Sequence, residues 1–167
     1  ILDLENGRGL VMAELGDLDL IMNRIIEAAH ALSEEKQKFI RKKIKEKLES
    51  QMGSGQKILD GFDSMDIASL LEKSDSSKRL QLMISICKTL NLNDHKSRFN
   101  EFEETILFPR NCMGHGIPEE TDEGFLFKHG GKTFLYNHDS SVKLRQAFKS
   151  FRVALNELET ELYKSAL

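Results

Sequence analysis

Arg110, Asn111 and His115 fall within one or two turns of backbone in the stretch Phe108-Pro109-Arg110-Asn111-Cys112-Met113-Gly114-His115-Gly116. No other stretch of the chain reads as chemistry. A histidine titrates near neutral pH and serves as general base or general acid. An arginine clamps a phosphate through two parallel hydrogen bonds, and an asparagine fixes an imidazole tautomer or holds a phosphate oxygen. Cleavage of an RNA backbone by its own 2′-hydroxyl asks for these parts: a base, an acid and positive charge on the phosphorane, with no metal. The motif supplies a single histidine, so that imidazole plays both proton-transfer parts or acts beside a second copy of the chain.

On a helix, Asn111 and His115 are i and i+4 neighbours on one face. Arg110 lies five positions before His115, about 140° around the helix at about 100° per residue. Direct pairing therefore needs the long arginine side chain, a helix distortion, or a second chain. Gly114 leaves the face four residues after Arg110 bare for a ligand. Pro109 removes one N–H and disfavours a helical Phe108, so it opens a short helix or kinks a longer one just before Arg110. Gly116 suits the left-handed residue that closes a helix.

The Arg-Asn-x-x-x-His pattern at Arg110, Asn111 and His115 resembles the Arg-(polar)-x-x-x-His signature of HEPN domains. These are all-α modules, many of them metal-independent endoribonucleases. The resemblance implies that Arg110, Asn111 and His115 are the catalytic set, and that the site forms from paired motifs facing each other across a two-fold homodimer interface. It also implies a toxin, defence or stress-response setting. Its specific part is residues 108–116; the helical architecture around them extends it over most of the chain.

Other candidates carry less chemistry. Cys112 and His115 share a helix face as half of a metal site, but zinc needs three or four ligands and no second Cys/His pair follows nearby; neither a metal nor a cofactor is expected. His129 and His138 flank the strands of a hairpin and are within reach of the cleft, although turn and cap positions explain them too. His30 and His95 sit at helix ends and read as structural or exposed. Lys36, Lys38, Arg41, Lys42, Lys43, Lys45 and Lys47 form a basic helix; as an electrostatic footprint it would track an RNA backbone, and as an ordinary feature it is a solvated face. Glu101, Glu103 and Glu104 before the motif, and Glu119, Glu120, Asp122 and Glu123 after it, oppose a phosphate unless they face away, regulate the site or receive a basic antitoxin-like partner.

The elements that must hold the motif are helical. The chain of 167 residues suits one domain over residues 1–167, and 40% hydrophobic with 31% charged residues is ordinary for a soluble protein. An initial Ile rather than Met leaves room for a longer protein. A net charge of −3 argues against a protein that coats nucleic acid generally, so contact with RNA, single-stranded by preference, is local. No run approaches a membrane span or a signal peptide, and two unspaced cysteines fit a reducing cytoplasm.

Val11, Leu15, Leu18, Met22, Ile25, Ala29 and Leu32 alternate spacings of four and three, which predicts a helix over residues 9–32, with Leu10, Leu20, Ile21 and Ile26 widening its stripe. Ser33 caps a second helix running to about Gln51, with Phe39, Ile40, Ile44 and Leu48 inward, until Gly53-Ser54-Gly55 breaks it. Residues 56–73 read as one or two short helices capped at Asp63 or Ser64. After Ser74-Asp75-Ser76-Ser77 a helix carries Leu80, Met83, Ile84, Cys87 and Leu90 to about Asn91. Asn93 or Asp94 starts the helix that leads through Phe99, Phe102 and Ile106 into the motif. A polar connection over residues 117–123 precedes two aromatic runs flanking Gly130-Gly131, a strong hairpin signal. Asn137, Asp139 or Ser140 caps a long last helix with Leu144, Phe148, Phe151, Leu155, Leu158 and Leu162 inward. The expected fold is all-α, an up-and-down bundle of about five helices with one small β-hairpin insertion near residues 124–136.

The function this resemblance implies is a HEPN-like, homodimeric, metal-independent endoribonuclease. The alternative is a non-catalytic helical dimerisation module, or one that binds a protein partner or a nucleotide.

Overall fold

The computed structural model describes residues 3–49 and 62–165. The break expected at Gly53-Ser54-Gly55, the end of the second helix near Gln51 and the start of the 56–73 segment lie outside the described residues, as does the side chain of Leu48. The fold is mostly helical with a small antiparallel sheet near residues 119–136. In chain order the elements are α1 (Leu4–Ala31), α2 (Glu34–Glu49), a 3-10 turn (Phe62–Ser64), α3 (Ile67–Glu72), α4 (Ser76–Thr89) and α5 (Asn93–Asn100). A π-helical segment (Glu103–Leu107) then leads directly into α6 (Phe108–His115), followed by β1 (Glu119–Thr121), β2 (Gly124–His129), β3 (Lys132–Tyr136) and α7 (His138–Ser165). No helix among the described residues is long and apolar enough to cross a membrane.

The seam of α1 is buried as its spacing requires: Leu18, Met22, Ile25 and Ile26 are fully enclosed. Each such side chain contributes about 1.5–3 kcal/mol by leaving water. The helix starts five residues earlier than the apolar pattern, because the Asp3 carboxylate accepts from the Asn6 N–H at 3.0 Å and caps it. The expected widening of the stripe holds for Ile21 and Ile26 but not for Leu10 and Leu20, which are 45% and 61% exposed. Leu10 borders an open cavity beside the start of α7, and Leu20 faces solvent.

α7 packs along α1 in the same direction. Arg152 donates to Glu14 at 2.7 Å and Arg24 to Glu159 at 2.6 Å, so the residue numbers rise together along the two helices. Leu144, Phe148, Leu155, Leu158 and Leu162 of α7 are buried. On its other side α7 meets α5 through Arg98–Glu157 and through His95–Glu161 at 3.0 Å. His95 is therefore engaged rather than free.

Caps follow the expected chemistry in places. Ser33 Oγ accepts from Lys36 N–H at 3.3 Å, and Asn137 Oδ1 accepts from Ser140 N–H at 3.0 Å while Ser140 Oγ accepts from Asn137 N–H at 2.8 Å. Asp66, rather than Asp63 or Ser64, caps α3 by accepting from Ser69 N–H at 2.7 Å; the two expected residues lie in the preceding 3-10 turn, which places them too early. α5 starts after Leu92 with no side-chain cap. On basic α2, Arg41 donates to the carbonyls of Met65 and Phe62 at 2.9 and 2.7 Å and so holds the turn before α3. Lys38, Lys42 and Lys45 are exposed.

The sheet has one strand more than the expected hairpin, with order β1-β2-β3. β1 was legible only as a polar connection because Glu119, Glu120 and Thr121 are all exposed, which leaves no apolar alternation to read. The β2–β3 turn pairs His129 with Lys132, and Gly130 and Gly131 adopt φ of 58° and 76°, the two left-handed positions of a tight hairpin turn. Phe127 of β2 is fully buried and fastens the sheet beside α6.

Candidate functional site

Pro109 shapes the backbone that carries the motif. Lacking an N–H, it cannot continue the hydrogen-bond ladder, and the preceding turn widens: Phe108 N–H reaches back five residues to the Glu103 carbonyl. α6 then buries Pro109, Cys112 and Met113. Its outward arc is left to Arg110, Asn111, Gly114 and His115. Gly114 faces open space, as a bare face requires. Cys112 and His115, in contrast, point apart: the thiol is buried and pushed up by desolvation, whereas His115 is exposed. Among the described residues no cluster of three metal ligands occurs.

Gly116 corrects an expectation. Its backbone is extended, at φ −80° and ψ 147°, not left-handed. Glycine is required there by space, since a Cβ would stand 2.5 Å from the Cys112 carbonyl oxygen and 3.1 Å from the Phe127 ring.

Arg110, Asn111 and His115 line one cleft of about 480 Å³. Arg110 donates through Nη1 to Asn111 Oδ1 at 2.9 Å, while its Nε is buried with no partner among the described residues. Asn111 therefore steadies the guanidinium rather than the imidazole of His115. The opposite wall comes from α1 and the start of α4: Asp19, Arg79, Asp75 and Ser76. Asp19 Oδ2 accepts from Ser76 Oγ at 2.7 Å and from Arg79 Nη1 at 3.1 Å, and its Oδ1 is buried without a partner among the described residues. Burial pushes the Asp19 carboxyl up from the usual value, against the pull of the Ser76 hydrogen bond and of the Arg79 and Arg110 guanidiniums. Each nitrogen of Arg79 is engaged, Nε donating to Asn23 Oδ1 at 2.8 Å and Nη2 to the Leu71 carbonyl at 2.9 Å. Asp75 caps α4; burial opposes its ionisation, yet the hydrogen bonds from Lys78 together hold its carboxyl below the usual value.

His115 also borders a second, shallower groove of about 500 Å³, with Arg8, Met12, Met113 and Ile117. Ile117 is 90% exposed and Met12 44%. Arg8 holds the floor by donating to the Gly116 carbonyl at 3.2 Å and lying 5.5 Å over the Phe127 ring. The ring of His129, at the end of β2, stands 6.1 Å from that of His115.

All three motif residues thus share one solvent-open cleft. Four participants escaped the sequence reading: Asp19, Arg79, Asp75 and Ser76. One signal for them existed, an acid inside the otherwise apolar run Leu18-Asp19-Leu20-Ile21-Met22. Of the flanking histidines, His129 comes beside the motif, whereas His138 lies at the start of α7 against a separate cavity. Comparison with family models, curated proteins and solved structures finds no match to this chain.

Proposed function

We propose that the chain is a HEPN-like, metal-independent endoribonuclease that works as a homodimer on RNA, single-stranded by preference. The observation that carries this reading is that the Arg110 guanidinium and the His115 imidazole line the same open cleft. In the reaction an imidazole takes the 2′-hydroxyl proton, the 2′-oxygen bonds to phosphorus, and the bond to the 5′-oxygen breaks as an imidazolium returns a proton to it. The products are a 2′,3′-cyclic phosphate and a 5′-hydroxyl. Arg110, placed by Asn111, stabilises the charge that builds on the phosphorane.

The base and the acid need two proton-transfer groups or one used twice. His129 is near enough to His115 to be the second group within a chain, and the groove beside His115 supplies the homodimeric alternative. With Ile117 and Met12 exposed there, a two-fold contact that covered them would bring two copies of His115 to the same seam. A cytoplasmic toxin, defence or stress-response role accompanies this reading.

A second reading is favoured by Asp19 and Asp75 in the cleft wall. Carboxylates repel RNA phosphate and attract a basic antitoxin-like or regulatory protein, so the face would serve dimerisation, partner capture or nucleotide binding without turnover. Separate Arg110→Ala and His115→Ala variants decide between the two. Loss of RNA cleavage in both, with the dimer intact and chelator without effect, supports the nuclease; cleavage retained in both removes it.

A further inference from the structure

The cavity with the most built-in chemistry outside the motif lies at the other flank of α1. It encloses about 300 Å³ between the start of α1, the end of β3 and the first turns of α7, a volume at the lower end of small-molecule sites. Its floor is apolar, made by Leu10, Val11, Leu144 and Phe148. Tyr136 lines it and is only 5% exposed, yet among the described residues its phenolic oxygen has no hydrogen-bond partner. The oxygen is not sealed in, so it opens onto the cavity and can donate to whatever occupies that space.

The backbone makes room for that hydroxyl. At Gly7, inside α1, a Cβ would sit 2.1 Å from the phenolic oxygen, so any other residue would displace the ring. Glycine in a helix interior costs about 0.5–1 kcal/mol relative to alanine, and here it admits the phenol.

The charged residues lining the cavity are one cation and one acid, Arg145 and Asp3. Arg145 touches only the Ser141 carbonyl and hydroxyl, at 3.3 and 3.4 Å, and no carboxylate among the described residues pairs with it. His138 stands at the same wall. Asp3 is the one acid lining the cavity, and both its oxygens are engaged by Asn6, at 3.0 Å from the backbone N–H and 2.6 Å from the side-chain amide.

We propose that this cavity binds a small organic anion, its flat apolar ring on the Leu10, Leu144 and Phe148 floor and its carboxylate or phosphate monoester held by Arg145 and the Tyr136 hydroxyl. His138 and the first turn of α7 add donors and positive potential at the same end. The proposal stands independently of any reaction at Arg110 and His115.

Calorimetric titration of the full chain with two matched probe pairs tests it: indole-3-acetate against indole-3-ethanol, and adenosine 5′-monophosphate against adenosine. The anion of at least one pair should bind about tenfold or more tightly than its neutral partner, as a charge-assisted hydrogen bond implies. Which pair responds identifies the carboxylate or the phosphate source. Arg145→Gln, at an exposed position that leaves the core intact, should weaken that anion about tenfold, and Tyr136→Phe, which removes one oxygen, should weaken it severalfold with an unchanged melting curve. The proposal is overturned if no probe binds at ~1 mM, if anion and neutral partner bind alike, or if Arg145→Gln binds as the wild type does.

Discussion

Arg110 and Asn111, adjacent in sequence, are joined side chain to side chain at 2.9 Å, and the guanidinium thereby turned into the cleft keeps its other terminal nitrogen for a ligand. Asn111 acts on Arg110, not on the imidazole. Under the nuclease reading, Arg110→Ala and His115→Ala should each lower kcat/KM on a single-stranded RNA oligonucleotide by about 10²–10⁴-fold, the range of a lost acid–base or phosphate-stabilising group. Asn111→Ala should lower kcat by about tenfold only, because the arginine that stabilises the phosphorane remains but is less well placed. Steady-state kinetics separate the two; an Asn111→Ala variant as inactive as Arg110→Ala would assign the amide a direct chemical part.

Ile117 is 90% exposed at the rim of the groove that His115 shares, so a charge there leaves the folded chain undisturbed. If that groove is where two copies meet, Ile117→Glu should shift the protein from dimer to monomer in sedimentation velocity and lower RNA cleavage with it. A dimer unaffected by Ile117→Glu would locate the homodimer contact elsewhere.

The orientation of α1 sets a contrast between two leucines two residues apart. Leu18 is fully buried and Leu20 is 61% exposed. Leu18→Ala should cost about 2–5 kcal/mol through lost burial and the cavity left behind, whereas Leu20→Ala should stay within about 0.5 kcal/mol of wild type. Urea denaturation measures both, and equal losses would mean that the helix is turned differently about its axis.

His30 makes stability depend on pH. Burial first, and then the nearby Arg41 guanidinium, hold its imidazole below the ordinary value of 6.5, and its Nε2 is buried with no partner among the described residues. The folded state therefore binds fewer protons than the unfolded chain once the pH drops below about 6.5. This contribution is flat above 6.5 and is lost as pH falls from there through the folded pKa. His30→Gln, which cannot charge, should show a smaller fall in denaturation midpoint between about pH 7.5 and 5.5; an identical slope would assign the acid sensitivity to other groups.

What could be read directly from the chain is what depends on near neighbours. The four-and-three spacing of Leu15, Leu18, Met22 and Ile25 decides a helix and its buried side, and Gly130-Gly131 decides a tight turn, because both are matters of local backbone geometry. The closeness of Arg110, Asn111 and His115 was legible for the same reason. Only the tertiary structure brought Asp19 and Arg79, 60 positions apart, into one wall of the cleft, and folded the hairpin so that His129 meets His115. Gly116 shows the difference within one residue: its identity suggested a left-handed backbone, but the reason for it is a carbonyl and a ring that arrive from packing. Spacing along a helix is set by covalent geometry and needs no partner, whereas a cleft is defined by which surfaces are left uncovered once every helix has buried its apolar side.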